Sequence, residues 1–232
     1  MSNNIADRLS TAYHQLQEFM QQQQINRPVS LIAVSKTKPL AAIAAAYQAG
    51  QRDFGENYVQ ELQLKATAAS DMPEIRWHFI GPIQSNKTRD IARFASEVHS
   101  VERAKIAQRL SDARPEHLPP LGVYIQVNIS AEPTKAGCLP DDVLPLAHVI
   151  SQLPRLALRG LMAIPTPARD GDNSASFAAM AALSSALQQQ FPMATALSMG
   201  MSDDWQTALC HGATAIRLGT AIFGTRDTQP HE

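Results

Sequence analysis

The residues of this sequence that are best suited to chemistry follow short apolar runs. Lys36 directly follows the apolar run 31–35. A lysine in a low-dielectric position has a lowered pKa, so its neutral amine can attack a carbonyl group. Near the other end of the chain, Gly200, Gly219 and Thr220 follow two further apolar runs. Bare backbone N–H groups and small hydroxyl side chains bind phosphate. The pattern therefore predicts a carbonyl-capturing lysine and a phosphate cradle.

Strand periodicity gives the expected direction of two basic side chains. Side chains alternate along a strand, so Lys36 shares a face with Ile32 and Val34. If these branched residues fill the interior of a barrel, Lys36 points into its mouth; the alternative is a lysine that extends into solvent. Arg217 precedes Gly219 by two residues, so we expect it to point inward beside the phosphate, the alternative being a surface ion pair.

Further polar residues follow other apolar runs and complete the candidate site. We expect Asn57 to hydrogen-bond a ring substituent and His78 and Met162 to wall the pocket, although packing and backbone hydrogen bonding are equally good explanations. Ser198 offers the phosphate a hydroxyl, whereas the acidic segment 202–204 is expected to cap its own helix. Three other lysines are expected to be surface residues: Lys38, Lys87 and Lys135.

The elements that must position these residues alternate between apolar runs and segments of helical composition. Eight apolar runs lie at 31–35, 53–55, 77–81, 97–101, 123–129, 158–164, 196–199 and 215–219. An amphipathic helix is predicted before them, at about 3–22. Eight units in 232 residues favour a (β/α)₈ TIM barrel with an additional N-terminal helix, with an open doubly wound sheet as the alternative.

A closed barrel brings the two predicted features together. Catalytic and binding groups of such barrels lie at the C-terminal ends of the strands, and the eighth strand pairs with the first. Lys36 and the cradle at Gly219 and Thr220 would therefore be neighbours. A ligand with both a carbonyl and a phosphate group fits this arrangement. Pyridoxal phosphate is one such molecule, and the phosphosugar substrates of aldolases are another.

Composition excludes several classes of protein. The chain is 44% hydrophobic and 18% charged, with a formal charge of −1, and has no long block of either sign, which argues against nucleic acid or an anionic membrane as a partner. No signal peptide or membrane span is expected. The two cysteines lack metal-ligand spacing and predict a reducing, cytoplasmic location. A single domain, 1–232, and a monomer are expected.

Six motifs in this order resemble the pyridoxal phosphate homeostasis protein family, and the match spans nearly the whole chain. They are LIAVSKTKP at 31–39, FGENYVQE at 54–61, WHFIGPIQSNK at 77–87, RGLMAIP at 159–165, SMGMSDD at 198–204 and RLGTAIFG at 217–224. The resemblance implies a barrel of the alanine racemase N-terminal domain type, which holds pyridoxal phosphate as a Schiff base on Lys36. It places Arg217 near the pyridine nitrogen. It places the phosphate on the motifs containing Ser198, Gly200, Gly219 and Thr220.

The resemblance also implies a carrier or regulator of pyridoxal phosphate, with effects on vitamin B6 and amino-acid pools, and not an enzyme. Its expected partners are pyridoxal phosphate and the apoenzymes that use it. An arginine beside the pyridine nitrogen makes the ring a weak electron sink, and no segment is left to form the second domain of alanine racemase. The ending TQPHE at 228–232 leaves a handover through a terminal lysine unsupported.

Two other functions remain open from the sequence. The same lysine chemistry serves a pyridoxal phosphate-dependent racemase or lyase that acts on a small amino acid. A phosphosugar aldolase barrel would form a Schiff base with its substrate and carry no chromophore.

Overall fold

The computed structural model describes residues 2–165 and 172–225 and contains a closed barrel of eight parallel strands. Each strand pairs with the next along the chain, and β8 pairs with β1. The strands are β1 (Ser30–Val34), β2 (Asp53–Glu56), β3 (Arg76–Phe79), β4 (Glu97–Val101), β5 (Leu121–Gln126), β6 (Leu156–Met162), β7 (Ala196–Ser198) and β8 (Ala215–Leu218). The predicted (β/α)₈ barrel is confirmed, and the open sheet is wrong.

Helices surround the barrel. In the described ranges they are α1 (Ser2–Gln22), α2 (Leu40–Gln48), α3 (Val59–Ala68), α4 (Thr88–Phe94), α5 (Ala104–Ala113), α6 (Val143–Ser151), α7 (Ser174–Gln190), α8 (Trp205–Cys210) and α9 (Thr220–Phe223). Within these ranges, none of the helices has the length and hydropathy needed to cross a bilayer. The predicted N-terminal helix is confirmed as α1, which packs against α2 and α9 and so covers the barrel where β8 meets β1.

Side chains alternate along each strand and so form an outer and an inner layer. Leu31, Ala33 and Phe54 point outward and form part of the apolar core between strands and helices. The opposite face contains polar groups: His99 Nδ1 on β4 lies 2.9 Å from Ser198 Oγ on β7, although these two strands are not neighbours. Such a contact must cross the barrel interior. The barrel is therefore closed outside by an apolar layer and filled in part by hydrogen-bonded side chains.

The strand bounds differ most from the predicted ones at β5 and β6. Both strands begin two residues earlier than the apolar runs 123–129 and 158–164 and end earlier. Directly after β5, Val127 is buried, its N–H donates to the Met162 carbonyl, and an isolated bridge joins it to Cys138, so the apolar run continues past the end of the strand. Gly160 permits a register shift between the strands, since its φ is +152° and a Cβ there would lie 1.8 Å from the Ala196 carbonyl oxygen.

Candidate functional site

Lys36 follows the C-terminal end of β1, which lies at the mouth of the barrel. The preceding residue, Ser35, is buried on the outer face, where its hydroxyl donates a 2.5 Å hydrogen bond to Glu56 Oε1. The Ser35 N–H continues the strand pairing by donating to the carbonyl of Gly55. Lys36 lies in the turn that follows β1, and it is half-buried. That its amine points into the mouth of the barrel stays a prediction.

A buried ion-pair cluster holds the backbone on both sides of Lys36. Lys65 of α3 donates to the Ser35 carbonyl at 2.8 Å, to Glu56 Oε1 at 2.8 Å and to Glu61 Oε2 at 2.7 Å. Glu61 Oε2 also accepts the Thr37 N–H at 2.7 Å. Thr37 has a φ of +63°, a left-handed conformation that needs such support in a residue with a branched side chain. The cluster therefore fixes the loop that presents the lysine.

Sequence reasoning missed this cluster. Glu61 and Lys65 are four residues apart on one helix, and this spacing of opposite charges was the available signal. It did not reveal that the pair reaches Glu56, because that contact depends on how α3 packs on the barrel. Burial raises the pKa of Glu56, and the charge of Lys65 and hydrogen bonds from Lys65 and Ser35 offset this only in part.

The start of the β8 loop lies beside the end of β1. Ile32 pairs with Arg217, and a Cβ at Gly219 would lie 3.5 Å from the Val34 Cβ. Gly219 is thus next to the segment that carries Lys36. The predicted proximity of the β1 and β8 loops is confirmed.

Arg217 points inward and is almost fully buried. Its Nη1 donates to Ser198 Oγ at 2.6 Å, and its Nη2 donates to the Ala163 carbonyl at 3.0 Å. Burial lowers the pKa of Arg217 to about 10, partly offset by the charge of Asp204, so the guanidinium remains charged at neutral pH. The inward direction predicted for Arg217 is confirmed, and the surface ion pair is wrong.

The candidate phosphate cradle comprises small residues after β7 and β8. Gly200 has a φ of +96°, and a Cβ there would lie 2.7 Å from the Ala208 Cβ, so the backbone requires glycine. Ser202 Oγ lies 3.4 Å from Thr220 Oγ1, and both residues are exposed. Ser198 is buried instead, with its hydroxyl engaged by His99 and Arg217. Sequence reasoning assigned Ser202 no phosphate role, although a hydroxyl near two glycines was a usable signal.

The acidic segment 202–204 precedes α8 but does not cap it with a side-chain hydrogen bond. Asp204 occupies the N-cap position but makes no side-chain bond to its own helix. Its Oδ1 accepts the Met201 N–H at 2.7 Å, and its Oδ2 accepts a hydrogen bond from Asn173 Nδ2 at 2.9 Å. The carboxylate therefore stabilises the loop between β7 and α8, and the predicted helix capping by its side chain is wrong.

The three remaining candidates occupy different depths of the barrel. Asn57 follows β2 at the mouth, and its Oδ1 is buried without a hydrogen-bond partner in the described part of the chain. Met162 is fully buried at the end of β6, next to Ser198 in the strand register. His78 lies deeper, with Nε2 2.8 Å from Asp53 Oδ1 and Nδ1 2.9 Å from His99 Nε2. Both ring nitrogens of His78 are thus engaged by residues of the barrel interior.

A cleft of about 990 Å³ lies on the outside of the barrel, between α4 and α5. Its lining includes Arg89, Arg93 and Arg109 as well as the acidic Asp90 and Asp112. None of the site residues at the mouth lines it, so it is separate from the candidate cofactor site.

Comparison with known proteins identifies the relatives of this chain. Residues 8–227 match the family described as alanine racemase, N-terminal domain. The pyridoxal phosphate homeostasis protein of Pseudomonas aeruginosa is 56% identical over 199 residues, which cover 86% of this chain and 85% of that protein. The protein of the same name from Escherichia coli is 48% identical over 202 residues, 86% of each chain.

Solved structures agree with this assignment. PipY of Synechococcus elongatus, solved without pyridoxal phosphate, has a TM-score of 0.84 at 41% identity and covers 95% of this chain and 100% of its own. The structure of PipY with pyridoxal phosphate bound has a TM-score of 0.81 at 39% identity and the same coverage. Alanine racemase of Corynebacterium glutamicum has a TM-score of 0.65 at 16% identity over 99% of this chain and 63% of its own, a likeness of fold. The chain therefore belongs to the alanine racemase N-terminal domain family and, within it, to the pyridoxal phosphate homeostasis proteins.

Proposed function

We propose that this protein binds pyridoxal 5'-phosphate at the mouth of its barrel and acts in pyridoxal phosphate homeostasis. The observation that carries the proposal is the position of Lys36, half-buried at the end of β1 and beside the glycine that begins the β8 loop. When bound, pyridoxal phosphate supplies an aldehyde that a lysine amine captures reversibly. The name of the relatives and the bound ligand of PipY support the same ligand.

The residues at the mouth fit this ligand. Asn57 Oδ1 is a buried acceptor whose partner is missing from the described chain, and a polar ring substituent would satisfy it. Arg217 brings a charged guanidinium to the inner side, where we assign it to the pyridine ring. We assign the phosphate to the backbone and hydroxyl groups of Ser202, Gly219 and Thr220. Ser198 then acts through Arg217, and the phosphate contact expected of it passes to Ser202.

We propose that the protein carries or buffers the cofactor and does not catalyse a reaction on amino acids. The name shared by the relatives refers to homeostasis of the cofactor and not to a reaction, which supports this proposal. An arginine beside the ring also limits carbanion stabilisation. The expected products of its action are loaded apoenzymes, with indirect effects on amino-acid pools.

Cofactor transfer tests the carrier function. The loaded protein is mixed with a pyridoxal phosphate-dependent apoenzyme in the presence of a trap for free pyridoxal phosphate, and recovery of activity is followed. A carrier activates the apoenzyme faster than an equal concentration of free cofactor does. Activation rates that do not depend on the protein would refute transfer.

The racemase or lyase alternative has its own measurement. Incubation of the loaded protein with small amino acids in D₂O detects exchange at the α-carbon by NMR. Exchange that is lost in Lys36→Ala would replace the carrier with an enzyme.

We further propose that the chain works as one domain, 1–232, as a cytoplasmic monomer. Both cysteines, Cys138 and Cys210, are unpaired, which supports a reducing compartment. The described surface exposes several large apolar side chains, including Leu64 on α3 and Met193 before β7. Sedimentation equilibrium tests the monomer. The tail 228–232 lies outside the described residues.

A further inference from the structure

We propose that Asp53, His78, His99 and Ser198 form one directional chain of hydrogen bonds inside the barrel and that this chain positions Arg217 for the cofactor ring. The proposal rests on the proposed function. It extends the site from the mouth through the barrel to its N-terminal end, and it assigns a role to interior polar residues that do not reach the mouth.

The chain has five members joined by four short contacts. Asp53 Oδ1 lies 2.8 Å from His78 Nε2, and His78 Nδ1 lies 2.9 Å from His99 Nε2. His99 Nδ1 lies 2.9 Å from Ser198 Oγ, which accepts from Arg217 Nη1 at 2.6 Å. These contacts connect β2, β3, β4, β7 and β8. The chain therefore crosses the interior and does not follow the edge of the sheet.

The two ends of this hydrogen-bond chain have different surroundings. Asp53 is the first residue of β2, at the N-terminal end of the barrel, and Arg76 forms a bidentate ion pair with it at 2.7 and 2.5 Å. The Arg76 side chain is 60% exposed, so this end faces solvent. Arg217, at the other end, is 3% exposed. The chain thus links a solvated ion pair to a buried guanidinium.

Donor and acceptor roles follow from the charge of Asp53. Burial alone would raise the pKa of Asp53, but hydrogen bonds from His78 and Arg76 and the charge of Arg76 oppose it, and the pKa lies below its ordinary value. An ionised carboxylate only accepts, which requires a hydrogen on His78 Nε2. A neutral His78 then accepts at Nδ1 from His99 Nε2–H. Ser198 in turn donates to His99 Nδ1, and its oxygen accepts from Arg217.

This arrangement gives an acceptor to each donor hydrogen of His78, His99 and Ser198. The alternative puts a second proton on His78 and reverses His99, which would donate to Ser198 from Nδ1. Ser198 Oγ would then receive two donors, and the described residues give its own hydrogen no other acceptor. An unsatisfied buried hydroxyl is costly, so the chain with all donors directed toward Asp53 is favoured.

The groups packed around His99 are compatible with its neutral form. Its ring stacks on Tyr124 at a centroid distance of 4.0 Å, and Glu97 Oε2 lies 3.9 Å from its Nε2. Glu97 Oε2 accepts the hydroxyl of Tyr124 at 2.9 Å. Burial, as the largest cause, and the charge of Arg217 keep the pKa of His99 well below its ordinary value.

The same atoms also resemble a metal-ligand set. One donor atom each from His78, Glu97 and His99 lies within 4.8 Å of the others. The two imidazole nitrogens are 2.9 Å apart, the distance of a direct hydrogen bond, while Glu97 stands 3.6 Å or more from both. The geometry therefore favours a shared hydrogen over an ion.

The effect on Arg217 is to fix the plane of its guanidinium. Ser198 and the Ala163 carbonyl each accept from a different terminal nitrogen, so rotation of the planar group is restrained. An arginine has five N–H donors, and the bonds found among the described residues use two of them, so others can be directed toward a ligand. The acceptor strength of Ser198 is maintained because its own hydrogen is taken by His99.

Imidazole nitrogen NMR of the protein without cofactor tests the direction of the chain. At pH 7 the chain requires that His78 and His99 are both neutral and protonated at Nε2, with unprotonated Nδ1 atoms. The His99→Gln variant assigns the signals. A charged His78 with His99 protonated at Nδ1 would overturn the direction, and this result does not depend on whether the protein binds pyridoxal phosphate.

Two matched variants of His99 test the effect on Arg217. In His99→Asn, the side-chain amide oxygen can accept the hydrogen bond from Ser198. In His99→Gln, the side-chain amide keeps a donor toward His78, but Ser198 loses its acceptor. We expect His99→Gln to weaken pyridoxal phosphate binding about tenfold and to shift the visible absorption maximum of the loaded protein. We expect His99→Asn to remain within about threefold of wild type.

The outcomes separate positioning from simple packing. If both variants bind and absorb like wild type while wild type binds the cofactor, the chain does not position Arg217 and the proposed function stands. If both lose affinity and thermal stability equally, His99 only fills space, and the proposal is overturned. Stoichiometric binding of Zn²⁺ that requires His78 and His99, measured by equilibrium dialysis, would also overturn it in favour of a metal site.

Discussion

Replacing Lys65 by methionine should destabilise the protein strongly and in a pH-dependent way. Lys65 is 8% exposed and donates to Glu56, Glu61 and the Ser35 carbonyl. Methionine keeps most of the side-chain volume but removes the charge. Glu56 is fully buried, and of its side-chain hydrogen bonds in the described part of the chain it would lose the one from Lys65 and keep the one from Ser35. The variant therefore leaves a buried carboxylate without its counter-charge.

The size of the effect follows from the two ways in which Glu56 can respond. Removal of one partner from a buried pair costs about 3–5 kcal/mol. Glu56 can also bind a proton, and neutralising a carboxyl with an ordinary pKa of about 4.3 at pH 7 costs about 3.7 kcal/mol. Glu56 takes the less costly of these two responses, so the cost of protonation, about 3.7 kcal/mol, is the upper limit of the loss at pH 7. We expect a loss of about 3–4 kcal/mol at pH 7, equivalent to roughly 6–16 °C in Tm.

The pH dependence of the loss has a definite sign. The pKa of Glu56 is raised by burial in the folded state, and loss of Lys65 raises it further. The folded variant then holds a proton that the unfolded chain releases above about pH 4.3, so the penalty grows as pH rises. At pH 5 the limit falls to about 1 kcal/mol. The difference between variant and wild type should therefore shrink on acidification.

Urea unfolding at pH 7 and pH 5 measures this difference. The control is the double variant Glu56→Gln with Lys65→Met, in which no buried charge is left and most of the lost stability should return. A loss below about 1 kcal/mol at pH 7 that does not change with pH would refute the ion-pair account of the lysine loop.

Three further outcomes are expected. His99 stays neutral in the folded protein, so the unfolded chain binds one more proton below about pH 6.5. On acidification below that pH, the unfolding free energy of wild type should therefore decrease more steeply than that of His99→Asn, by up to about 1.4 kcal/mol per pH unit. Equal pH dependence of the two proteins in urea unfolding would contradict this. Gly200→Ala should cost about 1–3 kcal/mol more than Gly212→Ala, because both positions have a positive φ but only the first would place a Cβ against Ala208; equal midpoints in thermal unfolding would exclude the clash. Burial raises the pKa of Cys138 to about 12, so a thiol reagent at pH 8 should modify exposed Cys210 alone until the protein is unfolded; rapid labelling of both thiols in the native state would be inconsistent with the structure.

The barrel could be predicted from the sequence because its signals are local. Eight apolar runs with intervening helical segments identify the fold without any knowledge of contacts. The direction of Arg217 followed from its spacing to Gly219, and the pairing of β8 with β1 followed from closure. Strand ends were less accurate: β5 ends at Gln126, although Val127 beyond it is buried and its N–H still donates to the Met162 carbonyl of β6.

The parts that were missed depend on contacts between distant residues. The ion-pair cluster at Lys65 joins α3 to the ends of β1 and β2, and the interior chain joins His99 to Ser198, 99 positions apart. A polar residue within a strand reads as a surface residue unless the closure of the barrel is known. Ser198 illustrates this, because its sequence position suggests a phosphate contact, whereas in the folded barrel it is buried and bonded to Arg217.

The most direct test of the cofactor site is borohydride reduction of the protein after incubation with pyridoxal phosphate, followed by peptide mass mapping. We predict a single phosphopyridoxyl group on Lys36, and its loss in Lys36→Ala but not in Lys38→Ala. A group found mainly on Lys38, Lys87 or Lys135, or no adduct on a protein that remains colourless, would contradict the assignment of the cofactor to the mouth of the barrel.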